Sequence, residues 1–484
     1  MASRDTKKPN IVFILSDDQG YWAMGCAGNK YIQTPNMDRL AETGMMFENS
    51  YCASPVCSPA RASILTGKMP SQHGVQDWIR LGHYGENALD YLAGQVTLPE
   101  ILKKNGYECA ISGKWHLGDV NSVEKRFPDH TYIHLKGADH YYNAPMVRNG
   151  ELVYESRYVT DCITDDAIAY LDQTSRTDAP FYLSVHYTAP HAPWINEHPE
   201  ELTELYRDCP FDDIPQGFIH EDAVYRYEKE DARRALVGYY AAVTGMDRGV
   251  GKIIDRLEAL GLRENTMIVY CADNGFNCGH HGIWGKGNGT FSLNMFDTSV
   301  KVPLIVSFPA QVPAGVKSNA MVSQYDYLPT LLEVAGAENP YQDGEVPGKS
   351  FLSVLRGEKT EAHDVLVVYD EYGPVRMVRT NEWKYVHRYE TGKHELYHLS
   401  VDPQEEHNLY GQPGTEEKVE ELRANLTDWF AKYTDPVNDG SKQPVRGNGQ
   451  INMICRLKEG ELAFDLNRQA RTDPGEADPA VHQK

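Results

Sequence analysis

The chain has 484 residues, 41% of them hydrophobic and 24% charged, with 47 Lys plus Arg against 69 Asp plus Glu and a net charge of −22. That length supports a large core, as one large domain with a smaller companion or as two to three domains. The acidic balance argues against a nucleic-acid partner and against an anionic membrane or long polyanion, and leaves room only for a local basic pocket holding a small anion.

The N-terminus, MASRDTKKPN, runs into the first apolar stretch without a signal-like region, and no apolar run approaches the roughly 18 residues of a membrane span. A cytoplasmic protein is the expectation, or a periplasmic or secreted one if a signal has been removed. Nine cysteines, at 26, 52, 57, 109, 162, 209, 271, 278 and 455, are odd in number, irregular in spacing and without a CxxC. A disulfide framework is therefore not expected, and a reducing compartment fits.

PNIVFILSDD (9–18) is an unbroken apolar run ending in two acids, the pattern of a strand buried on both faces of a parallel sheet. A helix is expected from Pro35 to a stop at Gly44. In SPVCSPARASILTG (54–67), Pro59 suits a first helical turn and Gly67 a stop. VTLPEILKKNG (96–106) reads as a helix and YECAISG (107–113) as a strand, followed by the strand FYLSVHY (181–187). A long helix covers 236–261. MIVYCADNG (267–275) and VPLIVSFP (302–309) repeat the buried-strand pattern. Strands alternating with glycine-stopped helices predict an α/β domain, 8–345, built on a large, mostly parallel sheet flanked by helices. The Pro/Gly-rich stretch GAENPYQDGEVPGKS marks a linker. Short β-rich pieces and a helix at 415–433 then predict a small α+β domain, 360–435, with an antiparallel sheet. Residues 436–484 read as a polar extension that partly packs back.

In open α/β sheets ligands lie beyond the carboxyl ends of the strands. Residues there include Asp17 and Asp18, Lys114 and His116, His191, and Asp273 and Asn274, with Lys286 further along the last loop. Three carboxylates and an amide make a hard oxygen site, suited to Ca²⁺ or Mg²⁺. Asp17 and Asp18 can share an ion only where the strand gives way to loop, since neighbours on a strand face opposite ways. A helix-entry turn for SDD and a hairpin turn for DNG remain the plain alternatives. Their occurrence on two separate buried strands favours the metal. Lys114 and His116 project to one side of an extended segment, a cation and an acid/base facing one anion, although a surface Lys and a core His give the same spacing. His191 in the proline-stiffened APHAP suits a positioned general acid or simply a packed turn. CADNGFNCGHHGIWGKGNG (271–289) fits neither a zinc spacing nor a phosphate-binding loop.

Cys57 poses the harder question. A helix N-terminus favours an anion, either a thiolate or the sulfate or phosphate of a ligand. An inert buried thiol is the ordinary outcome for a lone cysteine, and a thiolate nucleophile wants a base that Arg61 cannot be.

CSPAR followed by ASILTG resembles the first signature of the sulfatases, and GYECAISGKWHLG (106–118) resembles their second. SDDQG, APHAP, DNG and HGIWGKG match in the family's order, and ELYHLSVDPQEEHNL (395–409) resembles the family's small C-terminal domain. The likeness spans about 8–433. It implies an alkaline-phosphatase-like fold and an enzyme hydrolysing a sulfate ester by S–O cleavage. It further implies that a formylglycine-generating maturase, acting on the CSPAR segment, oxidises Cys57 to formylglycine. One hydroxyl of the aldehyde hydrate then attacks sulfur, and the other loses its proton as the intermediate collapses and expels sulfate. Carried over, Asp17, Asp18, Asp273 and Asn274 hold a divalent ion, Ca²⁺ or Mg²⁺, that also touches residue 57. Arg61 steadies the hydrate, Lys114 and Lys286 neutralise sulfate oxygens, His116 is the base for collapse and His191 the acid on the leaving oxygen. GHHGIWGKGNGTF resembles bacterial carbohydrate sulfatases more than animal arylsulfatases, and the net acidic surface leans towards a small sulfated sugar or oligosaccharide over a long anionic polymer. His73, Asp77, Trp78, Trp194 and Trp284 are candidates for touching the leaving group. A phosphonate monoester or phosphodiester hydrolase, or a non-catalytic sugar-sulfate binder with unconverted Cys57, are the competing readings.

Overall fold

The structure, a computed structural model, describes residues 7–464 apart from 85–87, 135, 149, 216–218, 226, 228 and 444–448, so the last part of the expected extension, 465–484, lies outside the described residues. In chain order the strands are β1 (Asn10–Ser16), β2 (Met45–Tyr51), β3 (Glu108–Lys114), β4 (His130–His134), β5 (Ala144–Arg148), β6 (Glu151–Glu155), β7 (Phe181–His186) and β8 (Thr266–Ala272). A two-residue ribbon, β9 (Asn277–Cys278) and β10 (Trp284–Gly285), precedes β11 (Leu304–Ser307) and β12 (Val316–Ser323). A second sheet comprises β13 (Leu366–Asp370), β14 (Val375–Arg379), β15 (Trp383–Arg388) and β16 (Glu395–His398).

The large sheet has ten strands in the order β12-β2-β11-β8-β1-β7-β3-β4-β5-β6. Its centre, β8-β1-β7-β3-β4, is parallel. β12 pairs with β2 in parallel, β11 runs antiparallel to both β8 and β2, and β5 and β6 add an antiparallel edge, so five of the nine pairings in this mixed sheet are parallel. A fully buried strand carries no alternation from which its direction could be read.

β1 shows why the continuous apolar run is needed. Val12 and Ile14 enter the core beneath α1 (Pro35–Glu42) and the helix Lys229–Ala259, while Ile11, Phe13 and Leu15 enter the core on the opposite face. Both faces are dry, so both parities must be apolar. The second core is filled by α2 (Cys57–Thr66), every residue of which is buried, by the helix Leu98–Lys104 and by the helix Tyr327–Ala335. α2 stops where Gly67 turns left-handed at φ 67°.

The antiparallel sheet β13-β14-β15-β16 buries one face under the helix Glu416–Tyr433 through Leu422, Leu426 and Phe430. Its other face meets the large domain through a buried ionic cluster. Lys384 Nζ reaches Asp297 Oδ1 and Glu405 Oε1, each at 2.5 Å, and Arg379 Nη1 donates to both oxygens of Asp297 at 2.9 Å. Beyond that helix the described part of the extension turns back across residues 72–80. No helix among the described residues is long and apolar enough to cross a membrane.

Candidate active site

The register of the central strands assembles the site. Ser16 pairs with Ala272 at the carboxyl ends of β1 and β8, so Asp17 and Asp273 emerge side by side, and the Asp273 amide donates to Ser16 O at 3.1 Å. Asp18 is left-handed at φ 64°. That turn breaks the alternation of the strand and lets two consecutive carboxylates serve one pocket. The Asp18 amide then donates to Asp273 Oδ1 at 3.1 Å.

Cys57 begins α2, with its Sγ 3.2 Å from Asp17 Oδ1 and 3.7 Å from Asp18 Oδ1. Lys286, from the loop after β10, places Nζ 2.6 Å from that sulfur and 2.7 Å from Asp18 Oδ1. Lys114, the last residue of β3, donates to Asp17 Oδ2 at 2.5 Å. One turn into α2, Arg61 donates through Nε to Asp273 Oδ2 at 3.0 Å and through Nη1 to Lys114 O at 3.3 Å. Gly113 is required where it stands, because a Cβ there would lie 1.9 Å from His186 O.

Burial works against the charge on Asp17, yet Lys114, His191 and Arg61 together hold its carboxyl well below the usual range. On Asp18 the same contest ends with a lowered pKa, through Lys286 and His191. Burial, aided by Asp17, raises Asp273. Burial also pushes the Cys57 thiol well up, with Asp17 adding to the effect. A thiolate is therefore not favoured here, and no imidazole lies within hydrogen-bond distance of Sγ among the described residues.

The donor set suits a hard divalent ion. Single oxygens of Asp17, Asp18 and Asp273 and the Cys57 sulfur all lie within 4.8 Å of one another. Asn274 donates through Nδ2 to Asp18 Oδ1 and Gly275 O, which leaves its buried Oδ1 with no hydrogen-bond partner. An unpaired buried carbonyl oxygen beside three carboxylates is a ready ligand for Ca²⁺ or Mg²⁺. Cys271, Cys278, His280 and His281 form no such group among the described residues.

The two histidines are set in opposite senses. His191 lies between cis-Pro190 and cis-Pro193. Its Nδ1 donates to Ala192 O at 2.7 Å, so Nε2 faces the acids, 3.5 Å from Asp18 Oδ2. His116, left-handed at φ 58°, is tied through Nε2 to Ile79 O at 2.9 Å, and its buried Nδ1 has no partner. The carbonyl can only accept, so Nε2 carries the proton and Nδ1 keeps its lone pair. Burial, with Lys114 nearby, holds His116 well below the ordinary histidine pKa, which keeps it neutral. Ser58 links these parts, donating to His116 O at 3.0 Å and accepting from Ile79 N at 3.1 Å.

The residues proposed to touch a leaving group divide. Trp194 is only 2% exposed, packed against Tyr239, Phe276 and Trp284, and its indole N–H donates to Pro190 O at 2.7 Å. It braces the His191 loop and offers no free face to a sugar. Trp284 is buried between Trp194 and Tyr227. His73 is also core, with Nε2 against Ser63 Oγ and Nδ1 accepting from Val75 N. Asp77 is buried and accepts from the Trp78 amide, while Trp78 stays half-buried. Sequence reasoning missed Ile79 and Ser58, which orient His116, and His83, whose ring centroid lies 5.5 Å from that of His116. Ser58 sits inside the CSPAR motif and was open to notice; Ile79 acts through a backbone oxygen and carries no sequence signal.

Two ammonium groups, a guanidinium and four oxygen ligands at the carboxyl ends of a helix-covered sheet define a hydrolytic centre for esters of a small tetrahedral oxyanion. Comparison with known proteins narrows the class. The Sulfatase family model matches residues 9–337, and the model of the N-sulphoglucosamine sulphohydrolase C-terminal region matches 279–432. An N-acetylglucosamine-6-O-sulfatase of Bacteroides thetaiotaomicron is 29% identical, with 93% of this chain and 91% of that protein covered. A Formosa agariphila ulvan-active sulfatase is 30% identical over 88% of this chain and 82% of its own length. A solved structure of a protein in complex with its substrate D-glucosamine-2-N,6-O-disulfate superposes with a TM-score of 0.77 at 27% identity, covering 90% of this chain and all of that one. The chain belongs to the sulfatase family and is a sulfuric ester hydrolase.

Proposed function

We propose that the protein hydrolyses the sulfate ester of a small sugar by S–O cleavage, with residue 57 converted to formylglycine and a divalent ion held by Asp17, Asp18, Asp273 and Asn274. One observation carries the reading: residue 57 stands at the centre of the carboxylate and lysine cluster, its Sγ 3.2 Å from Asp17 Oδ1 and 2.6 Å from Lys286 Nζ, where burial and Asp17 disfavour a thiolate. A formylglycine hydrate supplies both a hydroxyl nucleophile and a second hydroxyl for release of sulfate, and the ion supplies Lewis acidity at the sulfate oxygens.

The chain's own groups do the rest. Lys114 and Lys286 place two ammonium groups on the pocket wall, fixed before substrate arrives, where they neutralise sulfate oxygens in a water-poor site. Arg61 stays charged and locks Asp273, so the carboxylates need not rearrange. His191 keeps its Nδ1–H on Ala192 O and, in the doubly protonated form that Asp18 and Asp17 favour against its burial, delivers the Nε2 proton to the leaving oxygen. His116 receives a proton at Nδ1, the atom that the Ile79 carbonyl leaves bare. The sugar assignment draws on the relatives that act on sulfated glucosamine and ulvan.

The test is free sulfate released from a panel of defined mono- and disaccharide sulfates, with a phosphonate monoester alongside, using protein whose residue 57 has been checked by peptide mass spectrometry. Turnover of the phosphonate alone would overturn the reaction assigned here. An unmodified Cys57 in protein from its native host, binding sugar sulfate without turnover, would replace the enzyme with a binding protein.

A further inference from the structure

Both family models stop before residue 433, and the described extension that follows is not an idle tail. Gln450 is fully buried and adds one parallel rung to the segment 78–80: its amide donates to Trp78 O at 2.8 Å, and its carbonyl accepts from the Arg80 amide at 2.9 Å. Its side chain holds the same loop a second time. Oε1 accepts from the Gln76 amide at 2.8 Å, and Nε2 donates to Gly74 O and Asn452 O, each at 3.0 Å. Asn438, earlier in the extension, accepts from Gln76 Nε2 at 2.7 Å through its carbonyl. Gly449, at φ 90°, lies so close to the Trp78 ring that a Cβ would meet Cε2 at 2.8 Å.

The residue at the middle of that rung is Ile79, whose carbonyl receives Nε2 of His116 at 2.9 Å and Nε2 of His83 at 3.3 Å. One carbonyl therefore selects the tautomer of both rings. Its direction is set by two anchors: Ser58, beside Cys57, and Gln450, whose backbone pairs with 78–80 and whose side chain seats that backbone by holding Gly74 and Gln76, the segment leading into the rung.

We propose that Gln450 is a positioning residue for the reaction, acting through the Ile79 carbonyl to keep His116 in the Nε2–H tautomer with Nδ1 free to accept a proton. The inference rests on the role given to His116 above. It extends the working site beyond both matched family regions, to a segment whose described hydrogen bonds reach residues 72–80.

The experiment uses the full-length chain with Gln450→Ala, and Gln450→Glu as the milder variant that keeps the Oε acceptor for the Gln76 amide. With thermal melts confirming a folded protein, Gln450→Ala is expected to lower kcat by about ten- to a hundredfold with little change in KM, the scale of a small displacement of a reacting group. In a His116→Ala background the same change should add less than about twofold, because the effect passes through the ring. Independently of turnover, ¹⁵N spectra of the histidine rings should show His116 as Nε2–H in the parent and as a tautomer mixture in Gln450→Ala. Equal losses with and without His116, or an unchanged tautomer, overturn the proposal. If Gln450→Ala does not fold, the same two comparisons are decided with Gln450→Glu. A parent protein without sulfate-ester turnover counts against the proposed reaction, and the tautomer measurement still judges Gln450.

Discussion

Replacing His191 with alanine separates proton donation from every other contribution of the pocket. The ring's Nδ1 is committed to Ala192 O, and Nε2 faces the pocket 3.5 Å from Asp18 Oδ2, so the variant removes the one imidazole aimed at the pocket from the His191 loop. The lysines, Arg61 and the carboxylates keep their contacts with one another. General acid catalysis contributes about 10²–10⁴ in rate, which corresponds to roughly 2.7–5.5 kcal/mol of barrier. That loss should appear only where the departing oxygen needs a proton. A sugar alkoxide does, whereas an activated phenol leaves as its anion. Measured as free sulfate, turnover of a sugar sulfate should fall through that full range in His191→Ala. Turnover of a nitrophenyl sulfate should fall by less than about tenfold. Equal slowing of the two esters would refute the assignment of His191 as the acid and leave it a packing residue.

Other consequences are equally direct. Lys384→Met leaves Asp297 and Glu405 buried with one cation fewer, and should cost about 3–5 kcal/mol of stability in denaturant unfolding; adding Glu405→Gln should recover part of it, and no recovery would contradict the buried cluster. Calcium or magnesium should raise the melting temperature of the parent protein, by about 2.7 kcal/mol of stabilisation at a hundredfold excess over Kd. Asn274→Ala should need more ion for the same rise, and identical titrations would remove Asn274 from the ligand set. Burial, with Glu371 adjacent, raises Asp370 from 3.8 to about 7. A raised acid stabilises fully below its unfolded pKa and loses that stabilisation as pH climbs through about 7, so the difference in melting temperature between the parent and Asp370→Asn should change with pH across that window.

What could be read in advance follows from where information sits in a chain. The run Ile11–Leu15 announces a strand with two dry faces, and the acids after it announce a strand end, because both are local patterns. The direction of β11 is not local: four buried residues look the same pointing either way, and only their pairing with β8 and β2 decides. Trp194 and His73 read as candidate ligand contacts because aromatic and imidazole rings near a motif serve a sugar or a core equally well; the structure packs Trp194 against Tyr239, Phe276 and Trp284 and sets His73 against Ser63. Gln450 lay furthest from view. It is a single polar residue in a polar stretch, and its meaning depends on backbone groups more than 370 positions earlier.

The complete burial of α2 has a consequence for timing during synthesis. Cys57 lies beneath acids contributed by residues 17, 18 and 273, and β8, which brings Asp273, is translated more than 200 residues after it. On the proposed conversion of Cys57, a modifying enzyme would have to reach it before β8 docks against β1, while the helix is still an open peptide. Under that proposal modification and folding compete in time, and a variant that folds faster, or a host with too little of the modifying enzyme, would yield a well-folded protein that still carries the Cys57 thiol.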